Sequence, residues 1–450
     1  EDFNECETGT QPLEPKEEIK TEKEKILIVG GGIAGITSAY FLARKGSYDI
    51  TVIDKDDPIK GATEQNANTV TFIPYPAWTT MNYWNVIKDS ITRSSNPTSY
   101  FKFSVLLDGQ FRFWCREYFK SRSKEKVTQS NTALAKLISY SISIYDDFIN
   151  ETTDNNPDLV DYHQETLTTV YKGLSEKDIE EKLELLKDIQ SYESTCKRVD
   201  ADKYNASFVY QLAVRCFNTA KFVNYMRGRL HEKFGVNFIK GEIKAVTTNN
   251  KEIKSLEYAD EHAKTHILGG FDKYVLCTGI GSIHIGKMLG MKIPIYGFKG
   301  HTLNMYVKDK EKPDGTYIYI PENICISRVG YKTDGMVRVS GFADVVGLDT
   351  EPIPWRKEML IKLAKTLVSE QDYDEDKANH WVGLRPVCAD DVPFIGQSSK
   401  FTNLYWNAGH GARGVTEAAG SATILTHAIS GDEITNRLDV SDYNPGRYGL

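Results

Sequence analysis

From Ile26 to Ala43 the chain runs 18 residues without a charge, and the run changes character twice. It opens on Ile26-Leu27-Ile28-Val29, passes Gly30-Gly31-Gly32, and continues through Ile33, Ala34 and Gly35. The β-branched tetrad predicts a buried strand and the glycines a turn. The rest, to about Lys45, predicts a helix stopped by Gly46. A membrane span also needs about 18 apolar residues, but glycines placed this way fit strand–turn–helix instead. Apolar residues return at Asp49–Ile53, a second strand ending on Asp54.

Further on, the spacing turns helical from about 85 to 149, with Leu134, Leu137, Ile138, Ser141, Ile142 and Tyr145 on one stripe. Phe111, Phe113, Trp114 and Phe119 predict a core-facing face on an otherwise basic helix. A charged helix is expected at Ser175–Ile189 with Ser175 as its N-cap. Strands are expected at Val236–Ile239, Tyr274–Cys277, Thr302–Val307 and Val337–Gly341, and a last helix at Thr416–Ile429 ends at Gly431.

Composition narrows the class. The 450 residues allow two or three cores. A net charge of −7 argues against a nucleic-acid partner. The seven cysteines are scattered, without the close spacing of a zinc site or redox pair, which fits a reducing compartment. The first 24 residues are polar and expected to form a flexible or partner-bound arm. The chain begins at Glu1 rather than Met, which suggests either upstream cleavage or a chosen boundary.

The turn at Gly30–Gly35 reads GxGxxG between a strand and a helix, with Asp54 at the end of the next strand. That context predicts dinucleotide binding. Gly30 permits the tight turn and Gly32 the approach of a pyrophosphate to the helix N-terminus, while Gly35 permits close helix–strand packing. Asp54 suits ribose hydroxyls and repels a 2′-phosphate, so NADP is not expected. Near the C-terminus lie Trp381-Val382-Gly383-Leu384-Arg385-Pro386 and Gly409-His410-Gly411-Ala412-Arg413-Gly414-Val415-Thr416. The second is a glycine-rich loop opening a helix, able to offer backbone N–H groups to an electron-rich ligand atom.

These segments, with Asn66-Ala67-Asn68, Phe298–Leu303 and Leu276-Cys277-Thr278-Gly279, resemble the D-amino-acid oxidase superfamily in order and spacing over about residues 25 to 443. The likeness is greatest to the small subunit of D-amino acid dehydrogenase. The resemblance implies an α/β fold: an FAD-binding Rossmann-like domain (25–95, 200–295, 378–435) interleaved with a mixed-sheet α+β substrate domain (96–199, 296–377). It implies FAD held by Gly30, Gly32, Ile33, Ala34, Gly35, Asp54, Lys55, Thr63, Asn66, Ala67, Thr278, Gly279, Gly409, His410, Gly411, Gly414, Val415 and Thr416. It implies oxidation of a C–N bond in an amino acid or secondary amine, by hydride transfer to flavin N5.

Arg385 matches the family arginine that binds the substrate carboxylate; a guanidinium fork suits that task. Arg413 stands where relatives carry an apolar residue, and is expected to be a second anion clamp or a flavin contact. His301 replaces a usual Tyr and either lines the pocket or packs. Asn68 stands in place of a family Gly, and Asn218-Thr219 in place of Gly-Asp. Similar flavoproteins also serve as accessory subunits or assembly factors of mitochondrial respiratory complexes. A mitochondrial location is therefore an expectation beside a cytoplasmic or membrane-peripheral one, with possible peripheral association with a respiratory or quinone-linked complex.

Overall fold

The computed structural model describes residues 23–56, 61–71, 99–173, 175, 177, 197–307, 315–320, 324–328, 336–367, 373–432 and 439–450. The polar arm, the helical stretch ahead of residue 99 and nearly all of the helix expected at Ser175–Ile189 lie outside the described residues.

Strands are numbered along the chain. The first sheet has six, in the order Phe394–Gln397 (β17), Leu404–Ala408 (β18), Lys273–Leu276 (β11), Glu24–Val29 (β1), Tyr48–Asp54 (β2) and Asn237–Lys240 (β7). From β18 to β7 every pairing is parallel, and β17 closes the edge antiparallel. A parallel sheet is covered on both faces, which explains the unbroken apolar tetrad of β1. Ile26 and Ile28 enter one core, Leu27 and Val29 the other, and all four are buried.

The first of these cores is roofed by helices Ile33–Ala43 (α1), Lys124–Thr152 (α3), Thr219–Phe234 (α4) and Gly414–Ser430 (α7). The other is covered by the antiparallel hairpin sheet Thr265–Gly269 (β10), Glu252–Ala259 (β9), Glu242–Asn249 (β8), and by the short helix Ser282–Met288 (α5).

The third sheet has nine strands. Tyr373–Cys388 (β16), Ile295–Val307 (β12), Met336–Asp344 (β15), Ile324–Arg328 (β14), Thr316–Ile320 (β13), His163–Tyr171 (β4), Phe208–Cys216 (β6) and Thr69–Val70 (β3) follow one another, and Lys197–Val199 (β5) also pairs with β6. Helix Pro354–Leu367 (α6) packs on β12 and β15. Helix Gly109–Lys120 (α2) lays Phe111 and Trp114 against Tyr296 and Phe298, and Trp114 Nε1 donates to the Val387 carbonyl at 2.9 Å. The expected aromatic cluster is therefore core on one face only, because Phe119 is 65% exposed.

The fold class agrees with expectation, but the elements divide between the layers differently. Residues 208–216, grouped with the cofactor segments, are β6 of the third sheet. Residues 378–388, grouped likewise, belong to β16 of that sheet. Residues 124–152, grouped with the substrate segments, are α3, which crosses α7 over the first core. Strand partnership across long separations leaves no mark in a local pattern. The crossing depends on Gly420, where a Cβ would stand 2.9 Å from Ser141 Cβ. Ser141 Oγ donates to the Thr416 carbonyl at 2.5 Å and accepts from the Gly420 N–H at 3.0 Å.

Gly420→Val overpacks this contact and should destabilise the protein by about 1–3 kcal/mol. Thermal unfolding should show the fall, and a variant as stable as the parent would mean that the helices separate without cost.

Candidate functional site

The carboxyl ends of β1, β2 and β11 open on a cavity of about 1320 Å3, the position where open α/β sheets bind ligands. Two helices point their N-termini into it. Gly32, Ile33 and Ala34 of α1 line one part, and Gly411, Ala412, Gly414 and Val415 at the start of α7 line another. Each end offers backbone N–H donors and the positive pole of a helix dipole.

The chain has been shaped to bring backbone close here. Gly30 sits at φ +107°, and a Cβ there would lie 2.4 Å from the Cys277 carbonyl oxygen. Gly35 packs so tightly on the Gly30 carbonyl that no side chain fits, which is the packing task expected of it. Asp54 lines the cavity and its carboxylate accepts from the Gly31 N–H in a short contact. Thr63 Oγ1 accepts from the Ile33 N–H at 3.0 Å. Two buried polar atoms on the cavity wall, Asn407 Oδ1 and His410 Nε2, have no hydrogen-bond partner among the described residues. Burial, then the charge of Arg413, hold the His410 imidazole down at about 3, so it is neutral.

The residues present fit a dinucleotide such as FAD. One helix end suits its pyrophosphate, and the acid at the end of β2 suits its ribose. The second helix end and the orphaned polar atoms suit its ring system. Most of the residues expected to hold the cofactor line this cavity: Gly30, Gly32, Ile33, Ala34, Asp54, Lys55, Thr63, Asn66, Ala67, Thr278, Gly279, His410, Gly411, Gly414 and Val415. Gly35, Gly409 and Thr416 do not line it. Gly409, at φ +88°, would drive a Cβ to 2.2 Å from Cys388 Sγ, and Thr416 Oγ1 bonds the backbone of Thr71.

Opposite α1 the wall is the third sheet. Gly300 on β12 lies directly across from Gly383 on β16, and together they leave a trough without side chains. Two side chains of β16 lie along it. A Cβ on Gly383 would meet the Trp381 ring at 2.0 Å, and one on Gly300 would meet Arg385 Nη1 at 2.5 Å. Both Trp381 and Arg385 line the cavity. Arg385 Nη1 donates to the Phe342 carbonyl at 2.6 Å, and Phe342 holds φ +63° on a wall that it shares with Gly341 and Ala343.

The other two candidates for catalysis are placed differently. Arg413 reaches the cavity, but Nε donates to Glu417 at 2.8 Å and Nη2 to Asp391 at 3.0 Å, both carboxylates being fully buried. Its charge is already engaged by two acids, which leaves a poor anion clamp. His301 does not line the cavity. It is fully buried, with Nε2 3.1 Å from Asp344 Oδ2 and Nδ1 3.0 Å from His380 Nε2. Nothing in the sequence showed the burial of Asp391 or Asp344, and so neither partner was foreseen. Trp381 and the Gly300–Gly383 pair were also missed, since only the strand register reveals that the glycines face one another.

Residues 25–428 match the family described as DAO, FAD dependent oxidoreductase. The chain is 24% identical over 427 residues to a D-amino acid dehydrogenase of Vibrio atlanticus (strain LGP32), covering 90% of this chain and 96% of that one. Among solved structures, L-proline dehydrogenase from P. horikoshii superposes with a TM-score of 0.67 at 15% identity, covering 95% of this chain and 98% of that one. Iminodiacetate oxidase from Chelativorans sp. BNC1 superposes at 0.65 and 16% identity, covering 93% and 98%.

Arg413→Leu strands Asp391 as a buried charge and leaves Glu417, already raised to about 7 by burial, to take up a proton; it should destabilise the protein by about 3–5 kcal/mol. Adding Asp391→Asn and Glu417→Gln should recover part of the loss. Denaturant unfolding tests both, and an unchanged midpoint for the single variant would refute the structural role.

Proposed function

The chain belongs to the FAD dependent oxidoreductase family, and on that premise we propose that it binds FAD in the cavity and oxidises the C–N bond of a small amine carrying a carboxylate. The observation that carries this reading is Arg385, laid over a glycine trough on the cavity wall opposite the α1 turn. The relatives support it: one is named for D-amino acids, one for L-proline and one for iminodiacetate, all amines bearing carboxylates. FAD would supply the hydride acceptor.

The chain's own part is binding and orientation. Arg385 donates two parallel hydrogen bonds to the carboxylate, which fixes the direction of the Cα–H bond. The Phe342 carbonyl anchors Nη1 and keeps the guanidinium in the trough. The Trp381 ring, lying over Gly383, makes an apolar wall that keeps water from the reacting carbon. Thr63, Gln65, Asn66 and Ala67 line the same cavity from the α1 side, so the substrate lies between this loop and the third sheet.

The purified protein should be yellow, with about one FAD per chain by absorbance after denaturation. Gly32→Phe should lose the colour, because its ring occupies the space beside the α1 N-terminus. Parent protein that takes up no FAD would end this reading.

Arg385→Ala should keep FAD and lose roughly 30- to 1000-fold in kcat/KM, the equivalent of about 2–4 kcal/mol of a desolvated charge-assisted contact. Arg385→Lys should rescue little, since an ammonium lacks the fork. Gly300→Ala, which pushes on Nη1, should lower turnover in the same direction with FAD retained. The assay is anaerobic loss of flavin colour against a panel of D-amino acids, glycine, sarcosine and proline. Normal reduction of Arg385→Ala by any active substrate would place the carboxylate elsewhere.

A further inference from the structure

We propose that His163, Glu165 and Cys216 hold a zinc ion. His163 and Cys216 are directly opposed on the antiparallel strands β4 and β6, and Glu165 follows two residues on, on the same face. One ligand atom from each lies within 4.8 Å of the others. The trio stands apart from the cavity lined by Arg385.

Hydrogen bonding around the trio sets the direction of the donors. His163 Nδ1 lies 2.7 Å from the Asp161 carbonyl oxygen, which can only accept, so Nδ1 carries the hydrogen. The other ring nitrogen, Nε2, faces Glu165 Oε2 3.4 Å away. The other carboxylate oxygen, Oε1, accepts from the Thr316 hydroxyl in a short contact, which turns Oε2 toward the histidine. Cys216 Sγ faces the same point from β6, beside Thr69 Oγ1 at 3.8 Å. A cation placed at that point would meet a nitrogen, an oxygen and a sulfur ligand once the thiol has lost its proton.

Zinc answers in charge, softness and size. Thiolate, carboxylate and neutral imidazole together balance a dication, which makes burial tolerable. A thiolate excludes magnesium and calcium, and the mixed sulfur, nitrogen and oxygen set suits zinc. Bonds of about 2.1 Å at tetrahedral angles put neighbouring N and O ligands about 3.4 Å apart, as found here. A histidine whose second nitrogen is held by a carbonyl is the usual outer arrangement of a metal ligand. Both His163 and Glu165 are partly exposed, with side-chain exposures of 17% and 12%, so water completes the fourth position. Cys216 also pairs with Thr69 of β3, which leaves the 61–68 loop. The ion therefore ties β4 to β6 beside a wall of the cavity.

The binding step exchanges the thiol proton for the metal: a Zn–S bond forms, an S–H bond breaks, and the proton goes to water. Holoprotein expressed in zinc-supplemented medium and dialysed against metal-free buffer should retain about one zinc per chain by mass spectrometry of the elements. Cobalt(II) added to chelator-treated protein should give a thiolate-to-cobalt charge-transfer band, which Cys216→Ser should abolish. His163→Ala should also lose the zinc, and circular dichroism checks that each variant folds. Protein without zinc and without a cobalt band overturns the proposal and leaves a His163 imidazolium paired with Glu165. So does a Cys216→Ser variant that keeps the zinc and the band. The wild-type measurements decide even if both variants fail to fold.

Discussion

Arg338 holds the two halves of the site together. It projects from β15, is 3% exposed, and donates to the carbonyls of Glu64 at 2.7 Å and Asn66 at 2.5 Å, with Nε on Asn304 Oδ1 at 2.9 Å. Burial pulls its guanidinium down to about 10, so it stays charged at neutral pH. Those carbonyls belong to the loop whose Thr63 hydroxyl caps α1. Thr302 and Asn304 of β12 add hydrogen bonds to Gln65 of the same loop. The loop therefore answers to the helix of the first sheet on one side and to the third sheet on the other. A buried cation has few ways to be satisfied, so this one fixes the distance between the α1 turn and the Arg385 wall. Everything the cavity can do depends on that distance.

The same loop explains two departures from the family pattern. Asn68, which the resemblance sets in place of a family glycine, has a φ of +58°, the left-handed conformation that Asn tolerates better than most residues. The resemblance likewise sets Asn218-Thr219 in place of a Gly-Asp pair. In space the two departures meet. Asn68 Oδ1 accepts from the Thr219 N–H at 3.3 Å and lies 2.9 Å from its hydroxyl, while Asn66 Nδ2 reaches that hydroxyl at 2.8 Å. Asn218 caps α4 by accepting from the Lys221 N–H. The side chain at 68 thus supplies a contact to α4 that glycine could not make. Asn66, Asn68 and Thr219 form one local hydrogen-bonded group at the cavity wall lined by Asn66 and Ala67.

The unit β1–α1–β2 was legible in sequence because its causes are local: an apolar run, glycines at fixed offsets, and an acid at the strand end. The α7 loop was legible for the same reason. Arg385 was found through a motif, but its setting was not. The trough exists because Gly300 and Gly383 are paired across strands 83 residues apart in the chain (383 − 300), and no local pattern carries that register. Arg413, expected to be an anion clamp or a flavin contact, shows the converse case. An arginine beside a glycine-rich loop suggests an anion site until the buried carboxylates of Asp391 and Glu417 appear. Glu417 lies four residues on along the same helix, a visible spacing; Asp391 comes from another turn of chain.

His301 affects the site only indirectly. Desolvation lowers the basicity of both His301 and His380, the latter to about 4, so both rings are neutral. One hydrogen per contact then fits a single order: His380 Nε2–H to His301 Nδ1, and His301 Nε2–H to Asp344 Oδ2. Asp344 is also bound by Arg356 through Nε at 2.9 Å and accepts from the Tyr100 N–H at 2.8 Å. Arg356 in turn lies 3.9 Å above the Phe342 ring. Phe342 sits in a conformation that an aromatic residue adopts only under constraint. The constraint is this network, fully buried at His301, Asp344 and Arg356. Its consequence is that the Phe342 carbonyl turns toward Arg385. Removing the network would leave the guanidinium on the wall but take away the acceptor that aims it. A residue that never touches the cavity can thus help to aim the Arg385 guanidinium on its wall.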